Sequence, residues 1–149
     1  MGTADLDLVR RLAAAEAGLA IVSVTRTDGT VQSSLVNAGV LDHPVSGEPV
    51  VGLVVRANAY KMRRMRHGGR ACVAFRHGWE WVAVEGPVDL AGPDDPLDGL
   101  AAEDVPGVLR DVFRAAGGTH EDWDEYDRVM AAERRTAVLL HPARVTTNG

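Results

Sequence analysis

Two runs of β-branched and apolar residues, LAIVSVTR from Leu19 and VQSSLVNAGVL from Val31, are separated only by TDGT. The Asp28-Gly29 pair in that spacer suits a tight hairpin turn, so the two runs are expected to pair as antiparallel strands. After the turn-rich DHPVSGEP, VVGLVV reads as a third strand. RACVAF and EWVAVEGPVDL read as two more, joined by a turn at His77-Gly78, and TAVLLHPARV reads as the last. Six strands with few helices between them indicate a mainly β fold, an antiparallel barrel with peripheral helices, and not a doubly wound parallel sheet. The helices are expected at Asp5 to Ala17, with Leu8, Leu12 and Ala15 on one face and Gly18 as the stop, and at Asn58 to His67, ended by Gly68-Gly69. Two further helical segments lie around Val108 to Ala115 and Asp122 to Glu133, the latter with Trp123, Tyr126 and Met130 at helical spacing.

A chain of 149 residues is most simply one domain, residues 1–149. Apolar runs such as GLAIVSV are far too short to span a bilayer. The start, MGTADLDLVRR, has neither a basic region nor an apolar signal core, so nothing argues for export. The single cysteine, Cys72, has no internal disulfide partner, which fits a reducing cytoplasm; between Ala71, Val73 and Phe75 it reads as a buried strand residue. A net charge of −5 argues against a nucleic-acid binder.

Against that acidic balance, Pro49 to Trp79 holds seven arginines and lysines and no Asp or Glu. Asn58 reads as an N-cap, and a helix starting there turns its free N–H groups and positive dipole end toward whatever precedes it. Arg56 at the end of the preceding strand and Lys61, the only lysine of the chain, converge on that point, an anion site in outline. Lys61 and Arg64 share one face of the helix, while Ala59, Met62 and Met65 face the core. Arg63, Arg66 and Arg70 read as a solvated face paired with acids from elsewhere.

On the second strand Gln32 and Ser34 point to one side and Ser33, Leu35 and Asn37 to the other. These small polar groups are either ligand partners or exposed edge residues. Trp79 and Trp81 alternate on one face and either wall a planar ring or fill a core. No GxGxxG or GxxxxGK[ST] follows a strand, and His43, His67, His77, His120 and His141 are scattered without metal-ligand spacing, so no metal is expected. No Ser-His-Asp, paired-carboxylate or metal constellation is present, and no catalytic acid is assigned; Tyr60, Tyr126 and His77 are available donors.

TRTDGTVQSS, YKMRRMRHGGRACV, GWEWVAVEGPVDL and GTHEDWDEYDRVMAAERRTAVLLHPARV stand in an order and spacing that resembles the split β-barrel flavin/deazaflavin oxidoreductases. The resemblance runs from about Ala15 to Val145 and is nearest to the F420-dependent branch common in actinobacteria, the PPOX or pyridoxamine-phosphate-oxidase-like class. It implies a split β-barrel of the FMN-binding type and a homodimer with a long cofactor in a groove between protomers. The cofactor phosphate would be held by Lys61 and nearby basic residues, with Arg56 or Arg64 in place of an arginine that relatives can carry where this chain has Ala59. Gln32 and Ser34, with Ser33 between them, would line the groove beside backbone from Val54 and Val55. Tyr60 and Trp79 would lie near the site. The acidic oligoglutamate tail of F420 would account for further basic residues, Arg63, Arg64 and Arg66.

The implied chemistry is hydride transfer from C5 of reduced F420 to an electron-poor conjugated acceptor, with the protein orienting the cofactor and excluding water. The alternatives are an FMN-binding oxidoreductase of the same fold, and a carrier that binds F420 or a flavin without a substrate of its own.

Overall fold

The computed structural model of the chain describes residues 3–148, with side chains from Leu6 onward. Its elements are α1 (Thr3–Ala15), β1 (Leu19–Thr25), β2 (Val31–Asp42), β3 (Pro49–Arg56), α2 (Tyr60–Arg66), β4 (Arg70–His77), β5 (Glu80–Ala91), α3 (Val105–Ala115), α4 (Trp123–Ala132), β6 (Arg135–Leu140) and β7 (Arg144–Thr147). The opening hairpin follows its turn chemistry. The Arg26 amide donates to the Thr30 carbonyl, Gly29 adopts φ 88°, and the Asp28 carboxylate accepts from the Thr30 amide and hydroxyl. Antiparallel pairing then runs β1–β2–β3–β6–β5–β4, and β4 returns to β1, so six strands close into a barrel as expected.

β3 and β6 are apolar almost throughout because both of their faces are covered. Val51, Leu53, Val55, Val138 and Leu140 fill the barrel, while Val50, Ala137 and Leu139 pack outward with Val108, Leu109 and Val112 of α3 and Tyr126 of α4. β1 has only its inner face covered and alternates instead, burying Ala20, Val22 and Val24 while exposing Leu19 and Ile21.

The segment expected as one last strand is two. Between the pairs Val88↔Leu140 and Glu85↔Arg144, the three residues 141–143 oppose only Gly86 and Pro87, which makes a β-bulge on one edge of β5. Pro142, without an N–H, sits in the bulge where the ladder is already interrupted. A Cβ at Gly86 would lie 2.0 Å from the His141 carbonyl oxygen, so the crossing leaves no room for a side chain there.

Three local expectations are corrected. α1 buries Leu6, Val9, Leu12 and Ala13, whereas Leu8 is half-buried and Ala15 exposed; Leu6 and Val9 bring more apolar area to the core than Ala15, and that decides which face turns inward. α2 starts at Tyr60 and Asn58 is not its cap. The Ala59 amide donates to the Arg56 carbonyl, closing a turn over residues 57–58, and Ala59 holds the extended N-cap position with no side-chain cap. Cys72 is half-buried, since the alternation that sends Ala71, Val73 and Phe75 inward sends Cys72 outward. Burial and Glu85 raise its thiol pKa, leaving it a poor nucleophile.

Met62 and Met65 are buried as the helical spacing requires, each contributing about 1.5–3 kcal/mol of apolar burial. They fix the face on which Lys61 stands. Among the described residues no helix is long and apolar enough to cross a membrane.

Candidate functional site

A cleft of about 660 Å³ opens outside the barrel, between β2, β3, the start of α2, α3 and α4. β2 contributes Leu35, Val36 and Asn37, β3 contributes Val54, Val55 and Arg56, and the helices contribute Val112, Phe113, Tyr126 and Met130. α3 is set close against β2 by Gly39, where a Cβ would lie 1.9 Å from the Ala115 carbonyl oxygen. The wall beyond it is aromatic: Phe113 and Tyr126 rings lie 4.9 Å apart, and Trp123 packs on both. The lining holds three cations, Arg56, Lys61 and Arg135, and no carboxylate, although the chain carries a net charge of −5.

Lys61 stands in the first turn of α2, and its ammonium donates to Ser34 Oγ at 3.1 Å. It makes no ion pair among the described residues, and burial alone lowers its pKa below the usual lysine value. An ammonium drawn out of water toward a neutral hydroxyl is a charge without compensation. Three other basic residues of the stretch are committed. Arg66 grips both oxygens of Asp95, at 2.7 and 2.8 Å, Arg64 Nε donates to the Thr25 carbonyl at 2.7 Å, and Arg56 Nη2 donates to Glu133 at 2.8 Å. Of the face expected to pair with acids, only Arg66 does so; Arg63 and Arg70 are exposed and make no ion pair among the described residues.

Four of the residues singled out in the sequence, Val54, Val55, Arg56 and Lys61, line the cleft, and Ser34 touches it through Lys61. Gln32 lies on the Ser34 side of β2, and its Oε1 is sealed from solvent with no hydrogen-bond partner, a cost of about 1–3 kcal/mol for a buried acceptor. Ser33 faces outward and shares a hydrogen bond with Ser23 at 2.8 Å. Tyr60 and Arg64 stand outside the lining. Trp79 is 93% exposed at the tip of the β4–β5 hairpin, and Trp81 is 38% exposed, so within one chain neither walls the cleft nor fills the core.

Of the available proton donors only Tyr126 reaches the wall. Its phenol donates to the Leu109 carbonyl, and burial pushes its pKa up to about 12. His77 pairs with Glu16 instead, at 2.9 Å. Arg135, Phe113 and Met130 line the cleft although the sequence marks none of them as a site residue. The β3–β6 register, which sets Arg135 opposite Arg56, the packing of α3 on β2 and β3, and the return of α4 over β6 bring them to the cleft.

The fold also joins two histidines that are far apart in sequence. His43 and His141 each place Nε2 on Asp89 Oδ2, at 2.9 and 2.7 Å. His43 Nδ1 accepts the Val45 and Ser46 amides, so its proton resides on Nε2 and is donated to Asp89. The group is a hydrogen-bonded clasp tying the β2–β3 loop and the bulge to β5. Burial works to raise the Asp89 pKa, but the bonds from His141 and His43 outweigh it and hold the carboxyl below its usual value.

No protein-family model matches the chain. Among solved structures, a heme binding protein from Mycobacterium smegmatis superposes with a TM-score of 0.64 at 16% identity, over 97% of this chain and 54% of its own length. A pyridoxamine 5'-phosphate oxidase-related, FMN binding protein from Nostoc punctiforme gives 0.62 at 11% identity, over 97% of this chain and 80% of its own. An F420 reductase gives 0.56 at 11% identity, over 86% and 88%. Identities this low speak for the backbone alone. With the closed six-stranded barrel and its outer helices, they establish that the chain has the split β-barrel, pyridoxamine-phosphate-oxidase-like fold.

Proposed function

We propose that the cleft binds deazaflavin F420 and that the protein is an F420-dependent oxidoreductase acting on a conjugated small-molecule acceptor. The observation that carries this reading is the lining: an apolar and aromatic trough with three cations, no carboxylate, and a lysine whose charge no described residue neutralises. Such a surface suits a long ligand with a planar apolar part and more than one anionic group. When bound in reduced form, F420 supplies a hydride.

The chain's own part is binding and enclosure. Lys61 and Ser34 hold the phosphate, Val54 and Val55 offer backbone beside the ring, and Val112, Phe113 and Met130 keep water from one side. Tyr126 keeps its proton on the Leu109 carbonyl and serves as wall, not as acid. FMN is the second reading, since its single phosphate needs little more than Lys61 and Ser34. The surplus of cations in the lining favours the longer polyanion.

The same reading includes a homodimer. Leu19, Ile21, Val31 and Leu35 are 42%, 42%, 60% and 65% exposed, and the β1–β2 register sets Ile21 beside Leu35 on the outer face of the barrel. Leu35 also lines the cleft, so a second copy seated on this face would complete the groove.

Titration of the cofactor-free protein with F420 and with FMN at two salt concentrations tests the cofactor. Tight, salt-sensitive F420 binding that Lys61→Ala weakens at least about tenfold is expected, followed by turnover of F420H2 with enones or quinones. FMN binding without F420 binding transfers the site to FMN; F420 binding with no turnover across the acceptors leaves a carrier.

A further inference from the structure

Arginines elsewhere in the chain close two-point forks on a single carboxylate: Arg11 on Glu80, Arg66 on Asp95, Arg110 on Asp127 and Arg134 on Asp94. Arg56 and Arg135 do not. Each gives one nitrogen to Glu133, Arg56 Nη2 to Oε2 at 2.8 Å and Arg135 Nε to Oε1 at 3.1 Å. The two arginines are direct partners across the β3–β6 ladder. Like charges set opposite each other on a sheet are destabilising unless an anion lies between them.

Glu133 provides that anion, one carboxylate for two guanidiniums, and most of the ten N–H donors of the pair are left over. Both arginines line the cleft whose lining has no carboxylate of its own. Glu133 is also the residue best placed to yield. Its backbone is fixed as the C-cap of α4, and the next residue, Arg134, is held at φ 51° with its fork on Asp94, so only the Glu133 side chain has to move. We propose that Arg56 and Arg135 form a second anion subsite in the cleft, with Glu133 as its resident counter-ion, and that a phosphoryl or carboxylate group of the ligand takes the place of Glu133. The subsite rests on the cleft being an anion site. It would give the cofactor a second charged anchor distinct from Lys61.

The probe is inorganic pyrophosphate, followed by calorimetric titration and by the side-chain Nε–H NMR signals of the two arginines. Glu133→Gln keeps the shape and removes the charge, and it is expected to tighten pyrophosphate binding about tenfold, the scale of one charge-assisted hydrogen bond. Both Arg56 and Arg135 signals should move. Adding Arg135→Gln should return the affinity to that of the parent protein. Glu80→Gln makes the same change of net charge at the Arg11 fork, away from the cleft, and should do nothing. Equal affinity in Glu133→Gln and the parent, including no measurable binding in either, overturns the proposal, as does an equal gain in Glu80→Gln. The cofactor reading is judged separately by F420 on the parent protein and Lys61→Ala, so either can fail alone.

Discussion

Replacing Lys61 by methionine separates a binding lysine from a merely solvated one, because the two predict opposite balances between stability and affinity. The substitution keeps most of the apolar stem and deletes a charge whose one hydrogen bond among the described residues is to Ser34 and whose pKa burial has already lowered. In the free protein little is therefore lost, and relief from desolvation offsets the loss of one neutral partner; equilibrium stability in urea should be unchanged or slightly higher. In the complex the variant loses a charge-assisted hydrogen bond to the ligand phosphate, about 1.5–3 kcal/mol, or roughly 10- to 150-fold in Kd. The folded chain holds the Lys61 proton less tightly than the unfolded chain does. Stability of the parent protein should then rise with pH through the lowered folded pKa toward the ordinary lysine value, and Lys61→Met should flatten that limb. Urea titrations at several pH values and F420 calorimetry read both sides. A variant that is clearly destabilised yet binds F420 as the parent does would refute the reasoning, for it would make Lys61 a structural residue.

Leu35→Glu places a charge on the exposed apolar face at the mouth of the cleft. Light scattering should give twice 15.9 kDa for the parent and 15.9 kDa for the variant, with weakened F420 binding; a parent that is monomeric at all concentrations removes the second copy from the groove. Asp89→Asn should cost about 1 kcal/mol at neutral pH, a modest figure because the side chain is 38% exposed. Since the Asp89 pKa is depressed in the folded state, its contribution is present above the unfolded value and disappears as pH falls through the folded one; the variant should lose less stability in acid than the parent. Gly39→Ala drives a methyl to within 1.9 Å of the Ala115 carbonyl oxygen, so α3 must shift. A loss of about 1–3 kcal/mol in a urea titration, together with weakened ligand binding, is expected from such overpacking.

The strands were legible because their signals are local. Alternation, the Asp28-Gly29 turn and the buried methionine spacing each act within a few residues, and β1, β2 and α2 follow them. Errors arose where two local rules competed or where a distant element decided. At the start of α2 an asparagine with good capping chemistry lost to the turn that the Arg56 carbonyl closes with the Ala59 amide. TAVLLHPARV kept to a single edge of β5, as a continuous strand would, but Pro142 and the lack of space at Gly86 forced a bulge into it.

The site was legible only in its charged half. A lone lysine in an acid-free stretch marks an uncompensated cation whatever the fold, and Lys61 remains the one basic residue of that stretch placed in the cleft without an acid partner among the described residues. Counting cations would have ranked Arg66 as its equal, yet Asp95 claims two of its three donor nitrogens and neutralises its charge. The deciding quantity is how many donors remain after the chain's own acids have taken theirs, and that depends on the barrel's register. Arg135 shows the same from the other side. It is unremarkable in sequence beside Glu133 and Arg134, and it gains meaning only when the β3–β6 ladder brings it opposite Arg56 with a single carboxylate between them. Frustration of that kind, two like charges held together by the backbone, cannot be relieved by local rearrangement; it is relieved by an anion, and among the described residues Glu133 is the one that meets both.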